Sequence, residues 1–309
     1  MTSEILCIFG PGLGRLVHAT GAATALRRHY TGARITAVTS PEAAEFARSM
    51  PYFDAVIADH GAPWWRFSEI AALRAALTER PFSRIYDFDG GARSRLLCRL
   101  IHGWRAQPAE RGWSLPAAQG MHIADRMAQQ LIADGIVDVP PPDLGWVART
   151  VKSYSTPFKM TEPFALICAD AGRSGAPALA FIIAAAQWYV ARGLTPLLVG
   201  ETAQPQLADD VMLAAPGAKD ITGRAPAGDL VFLAWGAHSA IGADSGISVL
   251  LANAGCKTVI LCGAASDPAV DGPRGANVAV LQRESIAAIG FPEASRLIDV
   301  LGASRSRVS

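Results

Sequence analysis

Neither sign of charge dominates this sequence: 28 Lys and Arg stand against 27 Asp and Glu in 309 residues, a net charge of +1. No basic or acidic block runs beyond a few residues. That argues against a broad electrostatic face for nucleic acid and leaves room only for a local basic patch. Cysteines are few: Cys7, Cys98, Cys168, Cys256 and Cys262, an odd number, scattered mostly in apolar runs. Cys256 and Cys262 lie six apart with no nearby histidine pair, which is not metal-ligand spacing, so no metal and no cofactor are expected. Buried thiols acting as small hydrophobes in a reducing, cytoplasmic compartment are the simplest expectation. The opening MTSEILCIFG has no basic stretch before its apolar residues and does not read as a signal peptide. No run reaches the roughly 18 uninterrupted apolar residues of a membrane span. The nearest, residues 176–190, is interrupted by Gln187 and closed by Arg192-Gly193.

What the chain does contain is an alternation of short apolar runs and helical periods, which argues for parallel sheets wrapped by helices. Strands are expected at 5–9, 33–39, 55–58 and 84–88. Helices are expected at 16–29, after Ser40-Pro-Glu (a cap, a first-turn proline and a first-turn acid), at 67–77 as an amphipathic helix, and at 121–134. The stretch Val139-Pro-Pro-Pro-Asp143 has no period and reads as stiff, with the domain boundary between it and Pro163. The rhythm then restarts. Strands are expected at 164–168, 195–199, 239–243 and 258–262, and helices at 178–191, 229–234, 247–254, 284–289 and 292–301. The tail SRSRVS reads as frayed. The expected architecture is α/β: two Rossmann-like doubly wound domains, 1–150 and 151–309, facing a central cleft at the carboxyl ends of both sheets.

Two loops stand out chemically. The first, Phe9-Gly-Pro-Gly-Leu-Gly-Arg-Leu-Val-His18, places glycines at 10, 12 and 14, so the dinucleotide spacing G-x-G-x-x-G is not met. Three glycines at a helix start expose backbone N–H groups to a ligand. The second, Ile241-Gly-Ala-Asp-Ser-Gly-Ile-Ser248, follows a strand and opens a helix. Asp244 and Ser245 can cap that helix, while the amides of Gly246 and Ile247 face an anion; an ordinary N-cap is the equal alternative. A third loop, Cys262-Gly-Ala-Ala-Ser-Asp-Pro268, adjoins it with Asp267, and the two together make a nucleotide-diphosphate cradle. Trp64-Trp65-Arg66 reads either as an acceptor-facing flap or as a hydrophobic plug. Arg93, Arg95 and Arg99 share one helical stripe, either a phosphate grip or a solvated face.

The order of these segments resembles glycosyltransferase family 9, the heptosyltransferase family. The resemblance is carried by GLGRLVHATGAATALRRHYTGARITAVTSPEAAEF, SMPYFDAVI, SRIYDFDGGARSR, MHIADRMAQQLIADGI, GLTPLLVGE, the Gly223-Arg224 turn and IGADSGISVLLANAGCKTVILCGAASDP. It implies the GT-B fold and metal-independent, inverting transfer of a sugar, often heptose, from an ADP-sugar to a lipopolysaccharide or other surface-glycan or lipid-linked acceptor. It also implies peripheral association with the cytoplasmic face of the inner membrane. Donor contacts would fall on Arg173, Glu201, Asp244, Ser245 and Gly246, and acceptor contacts on Gly12, Gly14, Arg15 and Arg93. The chain departs from the family where it matters chemically. The position of the family's proposed catalytic aspartate is Arg15, and that of a family histidine is Val249. An arginine is cationic at any ordinary pH and cannot take a proton. Asp89 or His18 would then be the base, each set against a purely structural role. Otherwise the protein binds sugar nucleotides without turnover.

Overall fold

The computed structural model describes residues 3–102, 113–114, 120–150 and 160–303. The chain divides into two compact units, Met1–Thr150 and Val151–Ser309. The tail SRSRVS lies outside the described residues.

Unit 1 runs β1 (Glu4–Ile8), α1 (Leu13–His18), α2 (Thr20–His29), β2 (Arg34–Thr39), α3 (Pro41–Ser49), β3 (Ala55–Ala58), α4 (Phe67–Thr78), β4 (Arg84–Asp87), α5 (Ala92–His102), β5 (Trp113–Ser114), α6 (Ile123–Ala133) and α7 (Val147–Thr150). Its strands are all parallel in the order β3-β2-β1-β4-β5. Central β1 reads as unbroken hydrophobicity because both of its faces are covered: Ile5, Leu6, Cys7 and Ile8 are all buried. Cys7 pairs in register with Ala37 of β2 on one side and Tyr86 of β4 on the other.

Unit 2 runs β6 (Phe164–Cys168), α8 (Leu179–Val190), β7 (Thr195–Val199), α9 (Pro205–Ala214), β8 (Lys219–Asp220), α10 (Ala227–Gly236), β9 (Ala240–Ala243), α11 (Gly246–Asn253), β10 (Thr258–Cys262), α12 (Pro268–Asp271), β11 (Val278–Gln282) and α13 (Phe291–Ala303). The sheet order is β11-β10-β9-β6-β7-β8, again parallel throughout. In both units the first strand sits inside the sheet and the connection reverses direction beside it. That switch point falls between β1 and β4 in unit 1 and between β6 and β9 in unit 2, and at such a point neighbouring loops part to leave a crevice.

Several local expectations change in the structure. The helix expected over 16–29 is two, because Thr20 Oγ1 turns back to donate to the Val17 carbonyl at 2.9 Å. Ser40 makes no capping bond to α3; its Oγ accepts the Gly12 N–H at 2.9 Å and ties β2's end to the first loop. Helix α4 is not a clean amphipath: Leu77 is its one fully buried side chain. The helix expected over 284–289 is a single 3₁₀ turn, Ile286–Ala288. The expectations omitted α7, α9, α12 and the edge strands β5, β8 and β11.

The Pro-rich stretch is docked on unit 1. Asp143 N–H donates to Thr20 Oγ1 at 3.0 Å, and the backbone of Pro140 and Pro141 lies on Gly21. Just beyond, Trp146 is fully buried, with its ring 5.3 Å from Phe46 and 6.3 Å from Tyr52. A Cβ at Gly21 would stand 2.1 Å from the Pro140 carbonyl oxygen, whereas one at Gly32 would meet nothing within 4 Å. Gly21→Ala is therefore expected to destabilise unit 1 by about 1–3 kcal/mol, the usual cost of overpacking. Gly32→Ala should be near neutral. Thermal denaturation of both variants checks this, and equal melting temperatures would refute the docking.

Candidate functional site

In unit 1 the switch point is built from the loop after β1 and the loop after β4. Gly12 takes φ 90°, a conformation open to glycine at little cost, and so turns the chain into α1. Gly14 lies in the first turn of α1 and Arg15 beside it, half-buried. The loops meet over Gly10. A Cβ placed on Gly10 would lie 2.6 Å from Asp89 Oδ1 and 3.6 Å from Arg15 Cδ. A Cβ on Gly91 would lie 2.5 Å from Asp89 Oδ2. At both positions glycine leaves room for the Asp89 carboxylate where it stands, and neither takes a positive φ. Arg15 and Asp89 are thus brought together at one crevice.

Asp89 is held by a second carboxylate beneath it. Asp87 is fully buried, and its Oδ1 accepts the N–H groups of Asp89 (3.1 Å) and Gly90 (2.8 Å). Its Oδ2 accepts the Ser94 hydroxyl at 2.9 Å. Burial pushes the Asp87 carboxyl above the ordinary carboxylate range, against the pull of those donors. Asp87-Phe88-Asp89 has the Asp-x-Asp spacing of a metal-binding pair, which corrects the expectation that the sequence has none. In the fold Asp87 is committed inward to its own loop while Asp89 lines the crevice. Among the described residues no three of His, Cys, Asp and Glu gather as metal ligands.

The other unit 1 residues singled out from the sequence are placed less openly. His18 is buried at 3% exposure, and its ring stands edge-on to His122 with centroids 5.1 Å apart. Arg93 forms a two-pronged ion pair with Asp59 at the end of β3 and donates to the Ala62 carbonyl at 2.6 Å. It lines a cavity of about 300 Å³ with Ile57, Ala58, Ala72 and Leu73, apart from the Arg15–Asp89 crevice.

In unit 2 the switch point gathers loops after β6, β7, β9 and β10. Ser245 caps α11, its Oγ accepting the Ser248 N–H at 3.3 Å. The amides of Gly246 and Ile247 stand in the first turn, where a helix has no internal acceptors for its N–H groups and its dipole favours an anion. Asp244 does not cap: its Oδ2 accepts the Ser266 hydroxyl, which in turn lies 2.9 Å from Ser174 Oγ. Gly172 clears the way, since a Cβ there would lie 2.0 Å from Asp244 Oδ1. Gly172 and Gly175 close a tight two-residue hairpin that presents Arg173 and Ser174. Arg173 pairs with Asp271 of α12, and Asp267 caps that short helix. Burial raises the Asp244 carboxyl above its ordinary range, with the Ser266 hydroxyl opposing.

Asp170 is the site residue that the sequence reading missed. It is 9% exposed and accepts the Glu201 N–H on both carboxylate oxygens, at 3.0 Å each. It thereby fixes the loop after β7 and leaves the Glu201 side chain at the surface. A Cβ on Gly200 would lie 2.7 Å from Asp170 Oδ1. Its signal was available: an acid two residues past a buried strand, in Cys168-Ala-Asp-Ala-Gly172, at a switch-point loop. Beside it Cys168 Sγ lies 3.2 Å from Ser245 Oγ, and burial pushes that thiol up to about 11.

Burial also raises the Asp170 carboxyl, with the Glu201 N–H pulling the other way. A raised folded value means the native state holds the proton that the unfolded chain releases. Stability from this group is then present below the ordinary carboxylate value and is lost as pH rises through the raised one. The stability advantage of the native protein over Asp170→Asn should therefore shrink as pH climbs through that window. Melting temperatures of the two across the acid range check the sign, and an advantage that grows with pH would overturn it.

No family model matches the chain, and no curated protein matches it. Solved structures do resemble it, nearly end to end. Escherichia coli heptosyltransferase WaaC with ADP is 16% identical with a TM-score of 0.75, covering 96% of this chain and 99% of that one. A glycosyl transferase of family 9 from Veillonella parvula is 16% identical with a TM-score of 0.73, over 97% of each chain. UDP-GlcNAc 2-epimerase from Neisseria meningitidis, bound to UDP-GlcNAc, is 11% identical with a TM-score of 0.57, over 98% of this chain and 91% of that one. Identities this low establish the fold, which is two-domain GT-B with a Rossmann-like sheet in each unit. A transferase and an epimerase share it, so function must be argued from the site.

Proposed function

We propose that the chain is a glycosyltransferase of the family-9 type. It moves a sugar, heptose by resemblance, from an ADP-linked donor to a lipopolysaccharide or other surface-glycan acceptor, with inversion and without a metal ion. The observation that carries this is the Ser245-capped start of α11 at the β6–β9 switch point, in a fold shared with a heptosyltransferase that holds ADP. Unit 2 holds the donor: the first-turn amides of Gly246 and Ile247 meet the diphosphate, with Asp244, Ser245 and Arg173 around it. Glu201, on a loop clamped by Asp170, accepts from ribose hydroxyls. Unit 1 presents the acceptor through Gly12, Gly14 and Arg15, with Arg93 farther out in the first turn of α5, where it pairs with Asp59. The protein works in the cytoplasm, at the cytoplasmic face of the inner membrane.

In this reading an acceptor hydroxyl attacks the anomeric carbon, the new C–O bond forms as the bond to the diphosphate breaks, and ADP leaves. The hydroxyl proton passes to Asp89. Of the two bases inferred from the sequence, Asp89 is the better placed: it lines the crevice beside Arg15, whereas His18 is packed against His122. Arg15 orients an anionic acceptor by paired hydrogen bonds from its guanidinium. A second reading, a binder of sugar nucleotides without turnover, is favoured by one observation, the arginine at the family's aspartate position.

ADP or an ADP-sugar is expected to raise the melting temperature, and Gly246→Trp to abolish the rise by filling the mouth of α11. Stabilisation by UDP or GDP in place of ADP would overturn the assignment of the base. The two readings separate at Arg15, assayed against a panel of nucleotide sugars and acceptors. For an enzyme with an anionic acceptor, Arg15→Asp should raise KM steeply, since an attraction becomes a repulsion. Turnover that increases with acceptor affinity unchanged would identify Arg15 as a lesion, and the native protein as a binder.

A further inference from the structure

We infer that the outer face of α4 and α5, with the loop that leads into α4, is a docking surface for an anionic lipid bilayer. This deepens the membrane association proposed above by naming the surface and the lipid chemistry.

Trp64, Trp65 and Phe67 are exposed at 67%, 60% and 72%. Among the described residues the other exposed large apolar side chains are scattered singly along the chain. The two indoles stand edge to face with centroids 5.8 Å apart, so they present one aromatic patch. The loop that bears them is anchored: Arg93, in the first turn of α5, grips Asp59 and the Ala62 carbonyl, and Arg66 pairs with Glu69 at 2.9 Å. Helix α4 then offers small residues outward, with Ala71, Ala72, Ala75 and Ala76 all exposed. Such a surface lies flat against a membrane interface better than it fits a groove.

Charge selects the occupant. The loop from Asp59, helix α4 and helix α5 together carry five arginines (Arg66, Arg74, Arg93, Arg95, Arg99) and two carboxylates, Asp59 and Glu69. Those two acids are already paired, to Arg93 and Arg66. Arg95 and Arg99 lie one turn apart on the exposed stripe of α5, and Arg74 on α4 reaches the Leu100 carbonyl, so the two helices that follow the tryptophan loop are neighbours and carry positive charge. Indole rings settle at the headgroup level of a bilayer, and arginines are drawn to anionic headgroups. A protein partner would pair its own apolar core with these rings but has no comparable need for three further cations on the helices that follow them.

The test is co-sedimentation of the full chain with vesicles of phosphatidylcholine alone and of equimolar phosphatidylcholine and phosphatidylglycerol. The expected result is binding to the phosphatidylglycerol vesicles, at least about tenfold stronger than to the neutral ones. It should be lost in Trp64→Ser/Trp65→Ser/Phe67→Ser and weakened about tenfold or more in Arg95→Glu/Arg99→Glu, with unchanged melting temperatures in both. No binding to either vesicle overturns the inference. Equal binding to both vesicles overturns the choice of anionic lipid. Binding that the triple variant retains leaves membrane association standing and shows that this face is not its surface. A native dimer that the triple variant dissolves, seen by light scattering, makes a second copy of the chain the occupant and also overturns it.

Discussion

The volume of a missing Cβ organises both switch points. At Gly10 and Gly91 that volume is taken by the two oxygens of Asp89, at Gly172 by Asp244, and at Gly200 by Asp170. A carboxylate pressed this close to backbone has its charge met by amide N–H groups: Asp89 by Gly91, Asp170 by Glu201. The strand-end loops therefore hold one another by these carboxylates as well as by apolar packing, the Phe9 and Phe88 rings stacking at 5.4 Å, and they hold acids in partly desolvated positions. The placing of the acids in the proposed site, from Asp89 beside Arg15 to the clamped Glu201 loop, depends on that exchange of side-chain volume for carboxylate.

The central strands were legible because both of their faces are buried. Phe164–Cys168 and Thr258–Cys262 read as unbroken apolar runs and form where expected. Edge strands were legible only where their residues are apolar and expected as such: β3 was expected at 55–58, whereas Lys219–Asp220 is polar and two residues long, and Val278–Gln282 was passed over although VAVL is an apolar run. The break between α1 and α2 was invisible for a different reason. Alanine at position 19 signals no end to a helix; the break is the work of Thr20, whose hydroxyl is drawn to Val17 and whose oxygen is needed by Asp143. A contact over more than a hundred residues decides a local boundary.

The site was legible in its loops and less so in its partners. Glycine spacing marked the first loop and Asp-Ser-Gly the second, because both features act through local backbone. What each acid does was hidden. Asp244 reads as a cap, yet it faces Ser266, and the capping falls to Ser245 alone. Asp87 sits in an Asp-x-Asp spacing but spends its carboxylate on the N–H groups of its own loop, and Asp170 carries no motif, since it accepts an N–H from a neighbouring loop that only the fold brings near. Arg93 reads as either a phosphate grip or a solvated residue, and the pairing with Asp59 that the fold gives it is visible in neither reading.

Helix α4 has one fully buried side chain, Leu77, near its carboxyl end, and its amino-terminal turns are mostly exposed. An element anchored at one end has a low free energy of local opening, set by few apolar contacts and well below that of the central strands. Its amides should exchange with solvent through fraying from Phe67 inward, while Leu77 keeps the last turn in place. Any surface that settles on those first turns then orders them as it binds, and part of its gross contact energy goes into that ordering. The loop before it is held by Arg93 at Asp59 and the Ala62 carbonyl, so any adjustment to an interface of irregular depth falls to Phe67 and the first turns of the helix.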